Sequence, residues 1–316
     1  MGASESVQLD EQSSINKIQT LNNQIFYNER YNLIPSFPGF EFKYLDMITL
    51  KRKFNLANEL PNYIDLRNNF PQIQNMNQFP FNPIISVVYL LHYQLLRSNS
   101  LPIFPPSAMF IYRNIKFYKN VKSLLSLESI FMSIKENGIC SENQFPTNND
   151  NLVNEISGKL YEQSNAFKFI DIYRVEQNLE TLKSLLNNKY PLLIGFSVYY
   201  DLNNIETYMW MPDEQIDKKL GGISGVLVGY IEERKMFIMA STFGQTFGQN
   251  GYILIPYDYV LNKNLTFEIY TLDFIKERVE GYINQRKEIV NLENNVVIKK
   301  ENNKKYKQDD FGSLFR

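Results

Sequence analysis

Cysteine, histidine and tryptophan are almost missing from this chain of 316 residues: each occurs once, as Cys140, His92 and Trp210. One cysteine excludes an internal disulfide and a thiolate-rich zinc site. One imidazole excludes a histidine cluster, so neither a metal nor a cofactor is expected. A chain without disulfides suits a reducing compartment, and a cytoplasmic location is the expectation. An excess of charge of one sign is lacking too. The formal net charge is -1, which argues against the basic face that nucleic-acid binding needs. No apolar run approaches the roughly 18 residues of a membrane span. The first residues carry no basic region followed by an apolar stretch, the mark of a secretory signal.

What is present suits a folded domain. Hydrophobic residues make up 44% and charged residues 21%, the balance of an ordinary globular protein. Residues 1–24 are polar and Ser/Gln/Asn-rich, and a mobile arm is expected there. The body is expected over 25–275, its first part an extended segment laid over the rest and containing Ile34-Pro35-Ser36-Phe37-Pro38-Gly39-Phe40. Charges then take over. Residues 276–298 have helical spacing (Val279, Ile283, Ile289, Val290), and 299–316 form a Lys/Asn/Asp-rich tail expected to be disordered.

Within the body the first half reads helical. Asn82-Pro83 is a helix-start signal, Asn as a cap and Pro at the first helical position. The following run, Ile84 to Leu96, is apolar almost all round, so this helix is expected to be buried on most faces. Leu124 to Lys135 has helical spacing and stops at Asn137-Gly138. After a helix around Leu179–Leu186 the pattern turns to strands: Pro191–Tyr199, a hairpin of Ser224–Tyr230 with Lys235–Ala240, then Gly251–Ile255 and Leu265–Leu272. Helices first and strands second predict an α+β fold.

Several local motifs, taken in order, resemble the papain-like cysteine peptidases. Leu60-Pro61-Asn62-Tyr63-Ile64-Asp65-Leu66-Arg67 resembles the family's Leu-Pro-x-x-hydrophobic-Asp-Leu-Arg segment. Pro105-Pro106-Ser107-Ala108-Met109-Phe110-Ile111-Tyr112 is similar to its Pro-Ser-x-x-Phe-hydrophobic-Tyr helix start. Gly138 to Pro146 resembles its Gly-hydrophobic-Cys-x-Glu-x-x-Trp-Pro loop, and Pro191 to Tyr199 its Pro-hydrophobic-x-x-Gly-Phe-x-Val-Tyr strand. Gly221-Gly222, then Val226 to Tyr230, then Gly244, Gly248 and Gly251-Tyr252 match the spacing of its C-terminal half. The likeness covers about residues 60–262 and is nearest to the compact members found in large DNA viruses and some microbes. It implies a papain-like fold with a buried central helix and an antiparallel second half.

The resemblance also implies a catalytic set, and this sequence departs from it. The family uses a thiolate at a helix N-terminus, a His to activate it, an Asn to orient the His, and a Gln at the oxyanion site. The nucleophile position falls on Asn82 and the Gln position on Met76. Gly-Gly-His becomes Gly221-Gly222-Ile223, and Asn-Ser-Trp-Gly becomes Ser241-Thr242-Phe243-Gly244. All four roles are vacant, so no enzyme activity is expected. His92 lies ten residues past Asn82, roughly 15 Å along a helix axis at about 1.5 Å per residue, beyond the reach of a general base. Cys140 matches a non-nucleophilic loop position, and Ser86 or Ser224 has no base. The bulky Phe79, Pro80 and Phe81 are expected to block part of the cleft.

Met1-Gly2-Ala3-Ser4-Glu5-Ser6 fits the N-myristoylation pattern, with Gly2 as the acceptor. One such chain gives only marginal membrane binding, so a second contact is required. Lys51-Arg52-Lys53, the tail lysines Lys299, Lys300, Lys304, Lys305 and Lys307, or a protein partner can supply it. The expectation is a catalytically inactive papain-like protein, peripheral to a membrane, with protein partners. Its role is read as a structural or assembly component, with a virus particle as the setting the resemblance suggests. The alternative is a binding module whose residual cleft holds a peptide or sequesters a peptidase.

Overall fold

The computed structural model describes residues 31–36, 42–53, 59–74, 81–115, 124–202, 205–213 and 216–288. Gly2, Met76, Phe79, Pro80, the arm over 1–24 and the tail over 299–316 lie outside them.

The helical half is built around α2 (Asn82–Arg97), preceded by β1 (Lys43–Leu45), α1 (Met47–Lys53) and β2 (Tyr63–Asp65). It continues through α3 (Ala108–Arg113), α4 (Leu127–Asn137) and α5 (Gly158–Ser164). The strand half follows: β3 (Ile170–Val175), α6 (Leu179–Asn187), β4 (Leu192–Val198), β5 (Gly221–Ile231), β6 (Met236–Ala240), β7 (Tyr252–Pro256), α7 (Tyr257–Leu261) and β8 (Thr266–Phe274). A last helix, α8, covers 276–288. The architecture is α+β: α2 to α5 precede β3 to β8, while the short sheet strands β1 and β2 come ahead of α2.

Local chemistry explains most helix starts. Ser107, Ser126 and Ser157 cap α3, α4 and α5 by accepting from the amides of Phe110, Ser129 and Leu160. Asn178 caps α6 in the same way, and each such cap is worth about 1 kcal/mol. Gly138 ends α4 with φ at 72°, a left-handed turn that glycine adopts without strain.

The central helix departs from the expected capping. Its cap position is Phe81, and no side chain caps it; Asn82 is already the first helical residue, with Pro83 behind it. The start is held by packing instead. Phe81 is buried and its ring lies 4.4 Å from that of Tyr112. Of the residues from Pro83 to Leu95, only His92 is not fully buried, which matches the all-round apolar pattern.

The sheet runs β1-β3-β8-β4-β5-β6-β7, with β2 paired to β5 on a branch. Its pairings are antiparallel except β1 with β3, which is parallel. β4 and most of β5 are buried at every position, and both α2 and α6 pack against these two strands. The hairpin of β5 and β6 turns through Glu232–Arg234. The first part of the chain is more than an extended cover: β1 joins the sheet edge, and α1 buries Leu50.

One polar contact locks helix to sheet. Ser86 Oγ on α2 and Ser224 Oγ on β5 are hydrogen-bonded and fully buried, and Ser86 also donates toward the carbonyls of Asn82 and Pro83. Removing the Ser86 hydroxyl strands that of Ser224 in a dry interface, whereas Ser86 keeps its backbone carbonyls when Ser224 is cut back. Ser86→Ala is expected to cost about 1–3 kcal/mol. The double variant with Ser224→Ala is expected to cost less than the sum of the singles, as measured by urea unfolding in a double-mutant cycle.

Candidate functional site

The corner where the start of α2 meets β5 and β6 is the place to look for chemistry. Asn82 opens α2, one turn before Ser86. Ser86 meets Ser224, and Ile223 is the next residue along β5. Val226 pairs with Ala240, so Ser241 follows directly at the end of β6. Three positions far apart in sequence, Asn82, Ile223 and Ser241, are thus carried to one corner. The described residues do not include Met76.

None of the three supplies an ionisable group. Ile223 is 2% exposed and pairs across the sheet with Phe196. Ser241 is buried; its amide donates to the Gly251 carbonyl, and its hydroxyl accepts from the Phe243 amide. The neighbouring Thr242 hydroxyl is buried without a hydrogen-bond partner. Phe243 and Phe247 pack 4.9 Å apart between ring centres.

The remaining nucleophile and base are elsewhere and are badly tuned. Burial, with Glu142 adding to it, pushes the Cys140 thiol up to about 12, so it holds no thiolate at neutral pH. Burial lowers the pKa of the half-buried His92. This residue lines a small cavity on the outer side of α2 with Gln72, Gln74, Tyr89 and Glu142. Among the described residues no group of His, Cys, Asp and Glu is arranged to hold a metal ion.

The gap between the two halves is filled by the chain itself. Residues 31–36 form a strap lying between Leu125, just ahead of α4, and Gly222, one residue before Ile223. The Leu33 amide donates to the Gly222 carbonyl at 3.0 Å, and the Leu125 amide donates to the Asn32 carbonyl at 3.0 Å. The Ile34 amide donates to the Leu125 carbonyl at 2.9 Å. Both pairings are parallel. Tyr31, Asn32 and Leu33 are buried. The close approach needs glycine: a Cβ at Gly222 would stand 2.2 Å from the Leu33 carbonyl oxygen.

Polar anchors hold both ends of the strap. The Tyr31 hydroxyl accepts from the Leu202 amide and donates to Asp201 at the start of the β4–β5 connection. Ser36 donates its amide to Glu268 Oε2 at 3.3 Å, and its hydroxyl accepts from the Glu128 amide. Glu268 sits on β8, opposite Gly195 of β4, and its Oε1 is buried with no partner. Burial raises its pKa to about 7, against smaller opposing effects from Ser36, Arg174 and Tyr270.

Of the bulky residues expected to block part of the cleft, Phe79 and Pro80 lie outside the described residues, and Phe81 packs on Tyr112 at the start of α2. The strap is the described element that crosses the gap. One signal for it is Gly221-Gly222, which marks a strand that another backbone can approach closely.

This α+β arrangement is that of the papain-like cysteine proteases. The crystal structure of xylellain, a cysteine protease from Xylella fastidiosa, superposes with a TM-score of 0.68 at 22% identity, over 78% of this chain and 96% of that one. A digestive procathepsin L2 proteinase from Tenebrio molitor larval midgut superposes with a TM-score of 0.63 at 14% identity, over 87% of this chain and 95% of that one. A homologue is an uncharacterized peptidase C1-like protein of Acanthamoeba polyphaga mimivirus. It is 22% identical over 208 residues, covering 61% of this chain and 67% of that protein. No protein-family model matches the chain.

Two outcomes test the strap. Gly222→Ala is expected to push it out, so that limited chymotrypsin digestion cuts at Tyr31 or Leu33 at least tenfold faster than in the unaltered protein. The second outcome concerns Glu268. Its pKa in the fold, about 7, lies above the ordinary value of 4.5, so its stabilising effect is complete below about pH 4.5 and is lost as pH rises through 7. At about 1.4 kcal/mol per pH unit between those values, the loss is roughly 3 kcal/mol. Glu268→Gln is expected to flatten that slope in unfolding curves recorded from pH 4.5 to 8.

Proposed function

We propose that this protein is a catalytically inactive papain-like protein that serves as a membrane-associated structural or assembly component. The observation that carries this reading is the self-filled gap: the strap takes both main-chain edges, at Leu125 and Gly222, beside positions that hold Asn82, Ile223 and Ser241. A hydrolase needs those edges open and a nucleophile with a base within hydrogen-bond reach. Here the residues at the corner are a carboxamide, a hydrocarbon and a hydroxyl.

The membrane part of the reading rests on Met1-Gly2 followed by Ser6, the pattern for N-myristoylation. Lys51, Arg52 and Lys53 are exposed on α1. Lys53 donates to the Tyr173 hydroxyl and rests 3.9 Å from that ring's centre. Lys51 and Arg52 are then the members of the cluster left to meet an anionic surface. A particle of a large DNA virus is the setting that the mimivirus homologue suggests.

The second reading is a binding module. It is favoured by the way the strap is held, through main-chain hydrogen bonds that any extended peptide can reproduce. A ligand peptide would have to displace residues 31–36.

The unaltered protein is expected to hydrolyse no member of a broad peptide panel. Hydrolysis that vanishes when one cleft residue is mutated would overturn the claim of inactivity. Installing Asn82→Cys with Ile223→His is also expected to give no turnover while the strap stays in place. The mass of the N-terminal peptide from natively produced protein is expected to show a myristoyl adduct on Gly2; a free or acetylated terminus would remove the membrane argument.

A further inference from the structure

Ser36, at the end of the strap, closes over a carboxyl group that the fold leaves half satisfied. Glu268 is 4% exposed on β8, and two donors approach its Oε2: the Ser36 amide at 3.3 Å and the Tyr270 hydroxyl at 3.4 Å. Among the described residues its Oε1 has no hydrogen-bond partner. Gly195 of β4 makes the room for it. A Cβ there would stand 3.0 Å from Glu268 Cγ, 3.2 Å from Oε1 and 2.8 Å from the Phe267 ring. The carboxyl group is thus enclosed by β4, β8 and the strap.

The groups around it do not settle an anion there. Burial outweighs the opposing effects of Ser36, of Arg174 on β3 and of Tyr270 on β8, and Arg174 is itself exposed to solvent. Tyr270 gives one long hydrogen bond, and its own pKa is raised by burial, then by Glu268 and Glu128. Glu128 of α4 donates its amide to the Ser36 hydroxyl, but its carboxylate adds negative charge. β4 presents a glycine. The strap's own titratable group, Tyr31, is tied at the far end to Asp201 and Leu202. A carboxylate formed in this enclosure is short of donors and of water, whereas the neutral acid is not. Two ways exist to hydrate it. Parting β4 from β8 breaks the middle of the sheet, where each is flanked on both sides. Lifting the end of the strap breaks a few bonds at the surface of the gap, the cheaper local opening.

We infer that the strap is a proton-controlled latch: with Glu268 protonated its end lies closed against β8 and α4, and loss of that proton lifts it from the gap. The direction follows from linkage. The pKa of Glu268 is about 7 in the closed form and 4.5 ordinarily. Closure is therefore complete below about pH 4.5, the open fraction rises with pH between those values, and it levels off above 7. Lifting Leu33 and Ile34 frees the carbonyls of Gly222 and Leu125. Those are the edges an extended partner needs in the binding-module reading, but the latch stands whether or not a partner takes them.

Amide hydrogen exchange in the full-length protein reads the latch, because Leu33, Ile34 and Ser36 each donate an amide across it. After correction for the base-catalysed rate of an unstructured peptide, their protection is expected to fall on the order of a hundredfold from pH 4.5 to 8. Core amides of α2 and β5, such as Leu91 and Val226, are expected to stay at least about tenfold better protected than the strap at each pH. In Glu268→Gln, which does not ionise, the strap's protection is expected to vary by less than about threefold over the same range. Should that variant not fold, carbon NMR of the unaltered protein replaces it: the titration midpoint of the Glu268 carboxyl is expected to coincide with the pH at which strap protection levels off. Strap protection that is equal at pH 4.5 and 8 overturns the latch. Strap amides as well protected as Leu91 and Val226 at pH 8 overturn it too, since the strap then opens only with the whole fold. A pH dependence that survives Glu268→Gln, or a midpoint that does not coincide, overturns the role of Glu268. None of these outcomes touches the tests of inactivity and N-terminal modification.

Discussion

Main-chain hydrogen bonding across the gap between the two halves is the constraint on which the rest of this molecule depends. A helical half and a strand half that meet along a cleft leave two backbone edges, here at Leu125 and Gly222, whose amides and carbonyls need partners. In this chain residues 31–36 provide them. Once the strap lies there, several other features follow. Gly222 cannot carry a side chain, Tyr31 ties the strap to the β4–β5 connection, and Ser36 brings a hydrogen bond to the buried carboxylate of Glu268.

The chemistry of the corner agrees with this use of the cleft. An isoleucine that is 2% exposed on β5 gains hydrophobic stabilisation where an imidazole would have to be desolvated. Ser86 and Ser224 satisfy each other, so the helix–sheet contact keeps one polar pair without a charge. Phe81 takes the cap position without capping and substitutes ring packing on Tyr112 for a side-chain hydrogen bond. Glu268 is the exception, a carboxyl group kept dry with one oxygen unpartnered. Its cost depends on pH, so the strap's anchorage responds to protonation.

Much of this was legible from residue order. The all-round apolar run from Ile84 predicts a buried helix because no face of it can be left to water, and α2 is buried as that requires. Asn137-Gly138 predicts a stop because only glycine turns left-handed without strain, and Gly138 does so. Short elements were missed: α5 and α7 are too brief for a helical period to register, although β3 alternates clearly enough to have been read.

The sequence by itself determined the element types, the α+β order, and the absence of a second cysteine or histidine, because these depend only on local pattern and composition. The tertiary structure alone decided what fills the gap and where the polar anchors of the strap sit. Ser36 and Glu268 are 232 positions apart, and Asn32 meets Gly222 and Leu125 through backbone atoms that every residue shares. A pairing made by main-chain groups leaves little trace in side-chain identity, apart from a glycine where two backbones approach too closely for a Cβ.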